Sequence, residues 1–221
     1  MDPPRLDPDE RGNQHLQGLV RKLHPDDAPS FVNKFTSQPL IARFHTYREL
    51  LVGAYLREQR IDVRYERAID GQTPDWYLAA HDGAHDEILD VFTLHQRREK
   101  DIEISSSIAD YCRWVGWITV PPDHIYRKLT DKAGQYNNLV KRCSIRMVLA
   151  PFVEFTASIE PEEMHHVSFE RHGGWFATAP TVSGVLYSRM HNCEFEAIYF
   201  ANPHAMARSV LSTRLTAPNG A

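Results

Sequence analysis

Cysteine is scarce: Cys112, Cys143 and Cys193 are the three in 221 residues, 31 and 50 positions apart. No CxxC pair occurs, so neither a zinc knuckle nor a disulfide framework is encoded, and reduced thiols are the expectation. Long apolar runs are missing too, since nothing approaches the roughly 18 consecutive residues of a membrane-spanning helix. Met1-Asp2-Pro3-Pro4 has no basic-then-apolar signal pattern, which makes a cytoplasmic protein the expectation. Strong net charge is also absent, because 25 Lys and Arg against 29 Asp and Glu leave -4. That sum averages opposed regions. Residues 123–146 hold six bases and two acids, whereas residues 151–200 hold seven Glu against Arg171 and Arg189. A nucleic-acid partner is not excluded, because binding follows where charge sits. With 42% apolar residues, 11 Gly and 14 Pro, the composition is that of one globular domain with an appendage.

The first 42 residues alternate Pro, Asp and polar residues around one short helix, 14–23, and are expected as a loose arm. Phe44, Tyr47, Leu51 and Tyr55 then form one apolar stripe, which predicts a helix over 43–60. Val63-Arg64-Tyr65-Glu66 alternates as a strand that stops at Asp70-Gly71. Trp76-Tyr77-Leu78 and Glu87-Ile88-Leu89-Asp90-Val91-Phe92-Thr93 predict two more strands, joined as a hairpin through Asp82-Gly83. After an ambiguous stretch, 95–120, come a helix over 123–141 and a buried strand over 145–150. An acidic loop, Glu160-Pro161-Glu162-Glu163, precedes two further strands over 182–189 and 194–200. Helices and strands in this order predict an α/β domain of three layers with a mixed sheet.

Pro74-Asp75 opens the second strand, and Asp90 follows 15 residues later on the third. Antiparallel neighbours can bring two such carboxylates together, and paired hard oxygens suit Mg²⁺. Surface or turn aspartates are the plain alternative. Asp90, however, interrupts the apolar run Ile88, Leu89, Val91 and Phe92, and a buried carboxylate must be paired, protonated or metal-bound. His81 and His85 flank an Asp-Gly turn and read as solvated turn residues. His95 and Gln96 follow the third strand and read as strand-end polar residues, while Trp114-Val115-Gly116-Trp117 reads as packing. His165 and His166 sit in the acidic stretch with no evident ligand partner.

The arrangement resembles the PD-(D/E)XK nuclease superfamily, the restriction-endonuclease-like fold, over residues 43–153. Glu49-Leu50-Leu51-Val52-Gly53-Ala54 resembles the first helix of that family, Gln72-Thr73-Pro74-Asp75-Trp76 its Pro-Asp segment, and Ile88-Leu89-Asp90-Val91 its acid strand. Val182-Ser183-Gly184-Val185-Leu186 and Asn202-Pro203 resemble uncharacterised bacterial members. The resemblance implies an N-terminal arm over 1–42, a three-layer α/β core with a mixed central sheet flanked by helices over 43–153, and a β-rich C-terminal extension packed on it over 154–221. It also implies that Asp75 and Asp90 ligate Mg²⁺, which Mn²⁺ can replace, and that Glu49 helps to hold the metal or its water. The implied activity is hydrolysis of phosphodiester bonds in nucleic acid, DNA before RNA, with no membrane partner and with a homodimer left open.

One position departs from the pattern. The family places Lys two residues after the second acid, and here Phe92 stands there. Alternation sets Ile88, Asp90 and Phe92 on one side, so the ammonium that would orient water and offset phosphate charge is missing from this strand. On the following helix, Lys132 falls about 20° from Ile125 and within the apolar stripe, an unusual place for a surface lysine. It is the candidate replacement, and a lysine snorkelling from the stripe to water is the alternative. Gln135, Tyr136 and Lys128 on the same helix are the candidate contacts to substrate. For Glu49 the alternative is a capping box with Thr46. A catalytically inert relative that binds nucleic acid or protein through the same fold is the rival to the nuclease, and Phe92 favours it. A small-molecule metal hydrolase would need His81 and His85 to join the carboxylates.

Overall fold

The computed structural model describes residues 10–79, 86–94, 118–153, 157–191 and 194–215. His81, His85, the Asp82-Gly83 turn, His95, Gln96, Cys112, the Trp114–Trp117 segment and Cys193 lie outside them. A six-stranded mixed sheet flanked by helices forms the fold, its strands lying side by side in the order 63–65, 76–78, 87–94, 146–153, 184–191 and 194–201, so the expected α/β class is what the chain adopts. The chain divides into two compact units at Val91/Phe92.

The first unit holds helices α1 (Glu10–Val20), α2 (Ala28–Ser37) and α3 (Leu40–Glu58), strands β1 (Val63–Tyr65) and β2 (Trp76–Leu78), and the start of β3 (Glu87–Leu94). The expected loose arm is corrected here. Leu16, Leu19, Val20, Leu23, Phe31 and Val32 are buried, so α1 and α2 contribute core residues. Sequence inspection underrates this segment because its prolines and aspartates flank the helices: Asp27 and Pro29 stand at the start of α2, where a missing N–H costs nothing. Asp27 also accepts the backbone N–H of Tyr65 at 3.0 Å and the guanidinium of Arg64 at 3.0 Å, which ties α2 to β1. Helix α3 begins at Leu40, so Thr46 and Glu49 lie inside it and the capping-box alternative for Glu49 does not hold. The Thr46 hydroxyl donates to the Gln38 side-chain oxygen at 2.7 Å instead. Strands β1, β2 and β3 pair antiparallel, and β2–β3 is the expected hairpin.

The second unit contains β4 (Ile118–Thr119), α4 (Pro122–Cys143), β5 (Arg146–Val153) and β6 (Ala157–Ser158). It continues with α5 (Pro161–His165), a π turn (His166–Glu170), a 3₁₀ turn (Arg171–Gly173) and α6 (Trp175–Thr178). Strands β7 (Gly184–His191) and β8 (Glu194–Ala201) and helix α7 (Leu211–Arg214) complete it. Strand β7 runs parallel to β5 and pairs antiparallel with β8, so the C-terminal strands extend the sheet itself. Strands β4 and β6 form a separate parallel pair. The acidic segment expected as a loop instead starts α5, because Glu160 and Glu163 satisfy each other's backbone N–H groups in a capping box. Gly184 is required by packing: a Cβ there would lie 2.3 Å from the Tyr199 hydroxyl, which crosses to donate to the Ser183 carbonyl at 3.0 Å. Among the described residues no helix is long and apolar enough to cross a membrane.

Candidate active site

Asp75 lies one residue before β2, and Asp90 lies within β3 at 3% exposure. The hairpin pairs Trp76 with Leu89 and Tyr77 with Ile88, so the same register continued by one step sets Asp75 opposite Asp90. The Asp75 carboxylate accepts the Val91 backbone N–H at 2.7 Å, which holds it against β3. On its other side the Glu66 backbone N–H donates to the Asp75 carbonyl at 3.0 Å, continuing the β1–β2 pairing. Glu66, just past the end of β1, Asp75, just before β2, and Asp90, in the middle of β3, therefore form one row across the three strands.

Glu49 comes from α3, and Trp76 seats that helix. The indole N–H donates to the Glu49 carbonyl at 3.1 Å, and the ring fills the space that a side chain at Gly53 would need. The Glu49 side chain is 1% exposed. Its Oε2 accepts two charge-relevant bonds, from Lys34 Nζ at 2.9 Å and from the Tyr65 hydroxyl at 2.6 Å. Its Oε1 faces His45 Nε2 at 3.6 Å, one helical turn earlier. Lys34, from α2, also donates to Glu66 Oε1 at 2.6 Å and stands 5.3 Å from the centre of the Tyr65 ring. The Tyr65 ring is held between Phe31 and Trp76, with centroids 5.5 and 5.0 Å away.

Electrostatics follow from this crowding. Burial, and then the negative charges of Glu49 and Asp90, push the Asp75 carboxyl well above the usual carboxylate range, against the opposing pull of the Val91 N–H and Lys34. Burial alone would lower the Lys34 ammonium, but Glu49 and Glu66 outweigh it and leave its pKa raised. Burial, followed by the Glu49 charge, drives the Tyr65 phenol far upward, so it stays a hydrogen-bond donor. Glu49 on α3 and Asp90 on β3 thus repel Asp75, and Lys34 is the lysine that faces them among the described residues. Among the described residues no group of three or more His, Cys, Asp or Glu side chains is arranged to hold a metal ion by itself. A donor set of two hard carboxylates nonetheless fits Mg²⁺, which keeps several waters and binds through one or two protein carboxylates.

The residues proposed from α4 lie in the second unit. Lys132 Nζ stands 5.7 Å from the centre of the Phe92 ring, a cation–π contact within the range at which such pairs attract. Tyr136 is buried, Lys128 is half-buried and Gln135 is exposed. His165 and His166, for which sequence suggests no partner, both reach Glu170, at 3.4 and 3.0 Å. His166 and Glu170 stand at the ordinary i,i+4 spacing of a helix, and the π turn adds His165, five residues away, to the same side.

Lys34, Tyr65 and Glu66 are the members that sequence reasoning leaves out. Lys34 carries no motif, and its place follows from α2 docking on β1 through Asp27. Tyr65-Glu66 offered a faint signal, because an acid immediately after a short buried strand sits at the level of the Pro-Asp pair.

No family model and no curated protein matches the chain. Among solved structures it is similar to a chain of a CdiA-CT/CdiI toxin and immunity complex from Burkholderia pseudomallei, at 11% identity and a TM-score of 0.38, covering 73% of this chain and 89% of that one.

Proposed function

We propose that the chain is a Mg²⁺-dependent phosphodiesterase acting on nucleic acid, with DNA as its substrate. The observation that carries this reading is Asp75 set opposite Asp90 by the strand register, with Asp75 held above its ordinary range by burial and by the charges of Glu49 and Asp90. Such repulsion in a buried place is relieved when a cation sits between the acids. In this reading Asp75 and Asp90 hold Mg²⁺, for which Mn²⁺ can substitute. The bound ion would supply a water of lowered pKa and neutralise charge on the scissile phosphate. Glu49 would help to hold the metal or its water. Lys132 supplies the ammonium that Phe92 lacks, and Lys128, Gln135 and Tyr136 are the α4 candidates for contact with the nucleic-acid strand. Hydrolysis is direct, with no covalent enzyme intermediate.

Phe92, buried at 4% exposure, supports a second reading, an inert relative that keeps the fold for binding. The two part in a nuclease assay on single- and double-stranded DNA with Mg²⁺ or Mn²⁺, run beside Asp75→Ala, Asp90→Ala and Lys132→Met. The nuclease reading expects no cleavage by either aspartate variant. From Lys132→Met it expects lost turnover with Mg²⁺ binding nearly intact. Cleavage that survives both aspartate substitutions, or no cleavage by the native chain, sinks it, and unchanged turnover in Lys132→Met removes Lys132 from the mechanism.

A further inference from the structure

We propose that Lys34 is a positioning residue of the carboxylate site: its ammonium ties Glu49 to Glu66, leaves Oε1 of Glu49 outside the tie, and weakens the attraction of Asp75 and Asp90 for a divalent cation. This rests on the reading that those two aspartates hold such a cation. The geometry is specific. An ammonium has three donors, and Lys34 gives one to Glu49 on α3 and one to Glu66 at the end of β1, at 2.9 and 2.6 Å. Tyr65 adds a second donor to the same Glu49 oxygen at 2.6 Å. Oε2 is thereby saturated, and Oε1, which faces His45 Nε2 at 3.6 Å, is the oxygen outside the tie.

A carboxylate buried as deeply as Glu49 needs a polar or charged partner to offset its lost hydration. Lys34 is such a partner, from an element that carries no part of the family-like motif, inside the same compact unit as the three acids. The positive charge also acts on Asp75, in opposition to Glu49 and Asp90. A lysine so placed has two effects of opposite sign: it orders the acid that handles the water, and it competes with the metal for the same negative field. A lysine that merely braces α2 has one, because its loss loosens everything together.

The full chain is tested as native, Lys34→Met, Lys34→Gln and Lys34→Arg. Mn²⁺ binding is followed by calorimetric titration, kcat and KM on duplex DNA by cleavage, and folding by thermal melting. The positioning role predicts that Lys34→Met and Lys34→Gln lose about 30-fold or more in kcat with KM within about threefold, on the scale of a general-base contribution. It also predicts that both bind Mn²⁺ about threefold or more tightly than native, because a nearby positive charge is gone. Lys34→Arg, which keeps the charge on a larger, planar head, restores kcat in part and lies between native and the neutral variants. Weaker Mn²⁺ binding with a lowered melting temperature overturns the proposal, as do unchanged kcat and affinity, or failure of both neutral variants to fold. A native chain that binds Mn²⁺ but cleaves nothing refutes the nuclease reading alone, and the affinity change in Lys34→Met still decides this one. A native chain that binds no Mn²⁺ overturns both.

Discussion

Replacing Gly53 by alanine should destabilise the protein, although the same change in an open helix stabilises by about 1 kcal/mol. An added Cβ would meet three atoms of the Trp76 ring at 2.0, 2.3 and 2.6 Å. Carbon atoms at rest keep about 3.5 Å or more, so α3 would have to move from β2 by more than about 1 Å. The ring cannot give way, being 1% exposed and bonded through its N–H to the Glu49 carbonyl. Overpacking of a close-packed core costs about 1–3 kcal/mol, and a displacement of this size belongs at the upper end. Less the helix gain, the net loss is about 2 kcal/mol, or about 4–8 °C in melting temperature for a chain of this length. Urea unfolding followed by far-ultraviolet circular dichroism should show a lowered midpoint at unchanged slope. In the Gly53→Ala/Trp76→Leu double variant the added methyl meets no ring, so the alanine should cost nothing beyond the loss of the tryptophan, a coupling of about 2–3 kcal/mol. A Gly53→Ala protein as stable as native, or more so, would refute the claim that Trp76 seats the helix carrying Glu49.

The raised carboxyl of Asp75 gives a pH dependence of definite sign. Its folded value exceeds the unfolded one of about 3.9, so its contribution to stability is complete below that pH and is lost as pH rises through the folded value. Asp75→Asn removes that loss. Metal-free Asp75→Asn should therefore gain melting temperature over native as pH rises from about 4 toward 8, and scanning calorimetry showing it less stable at the alkaline end would contradict the crowding of acids described above. In the second unit, buried Asn202 donates to the Ala179 and Val182 carbonyls at 3.0 and 2.7 Å and accepts the His204 N–H at 2.8 Å. Asn202→Ala removes these bonds, the Ala179 carbonyl alone keeping a second donor in the Val182 N–H at 3.0 Å, and should cost about 2–4 kcal/mol in urea unfolding. Asn202→Asp, which cannot donate, should recover little of it, and a neutral alanine variant would show that water replaces the side chain at no cost.

Much of the sheet was legible in the chain. The apolar runs Glu87–Leu94 and Arg146–Val153 are local signals, because strands buried on both faces read as near-continuous apolar stretches, and so is the stripe of α4, because burial on one face imposes its period on the residues themselves. The candidate acids were legible for a similar reason: Asp90 breaks an apolar strand, and hairpin register alone sets Asp75 opposite it. The helical character of residues 28–37 was not, since its core contribution depends on docking with β1 through Asp27 rather than on a clean stripe. The glycine at 53 read only as part of a family-like phrase until the Trp76 ring was found in the place of its side chain.

Sequence by itself determined the α/β class, the order of the sheet strands with helices α3 and α4, and two candidate acids, because those are written in short-range periodicity and in the cost of burying a charge. Tertiary structure alone decided which cation serves the acids of the first unit. Lys34 lies 15 residues before Glu49 and 32 before Glu66, and no local pattern joins them. Their meeting is a property of how α2, α3 and β1 close on one another, and electrostatic partnership in a buried site is set by distance through space, which the spacing of residues along a chain does not encode.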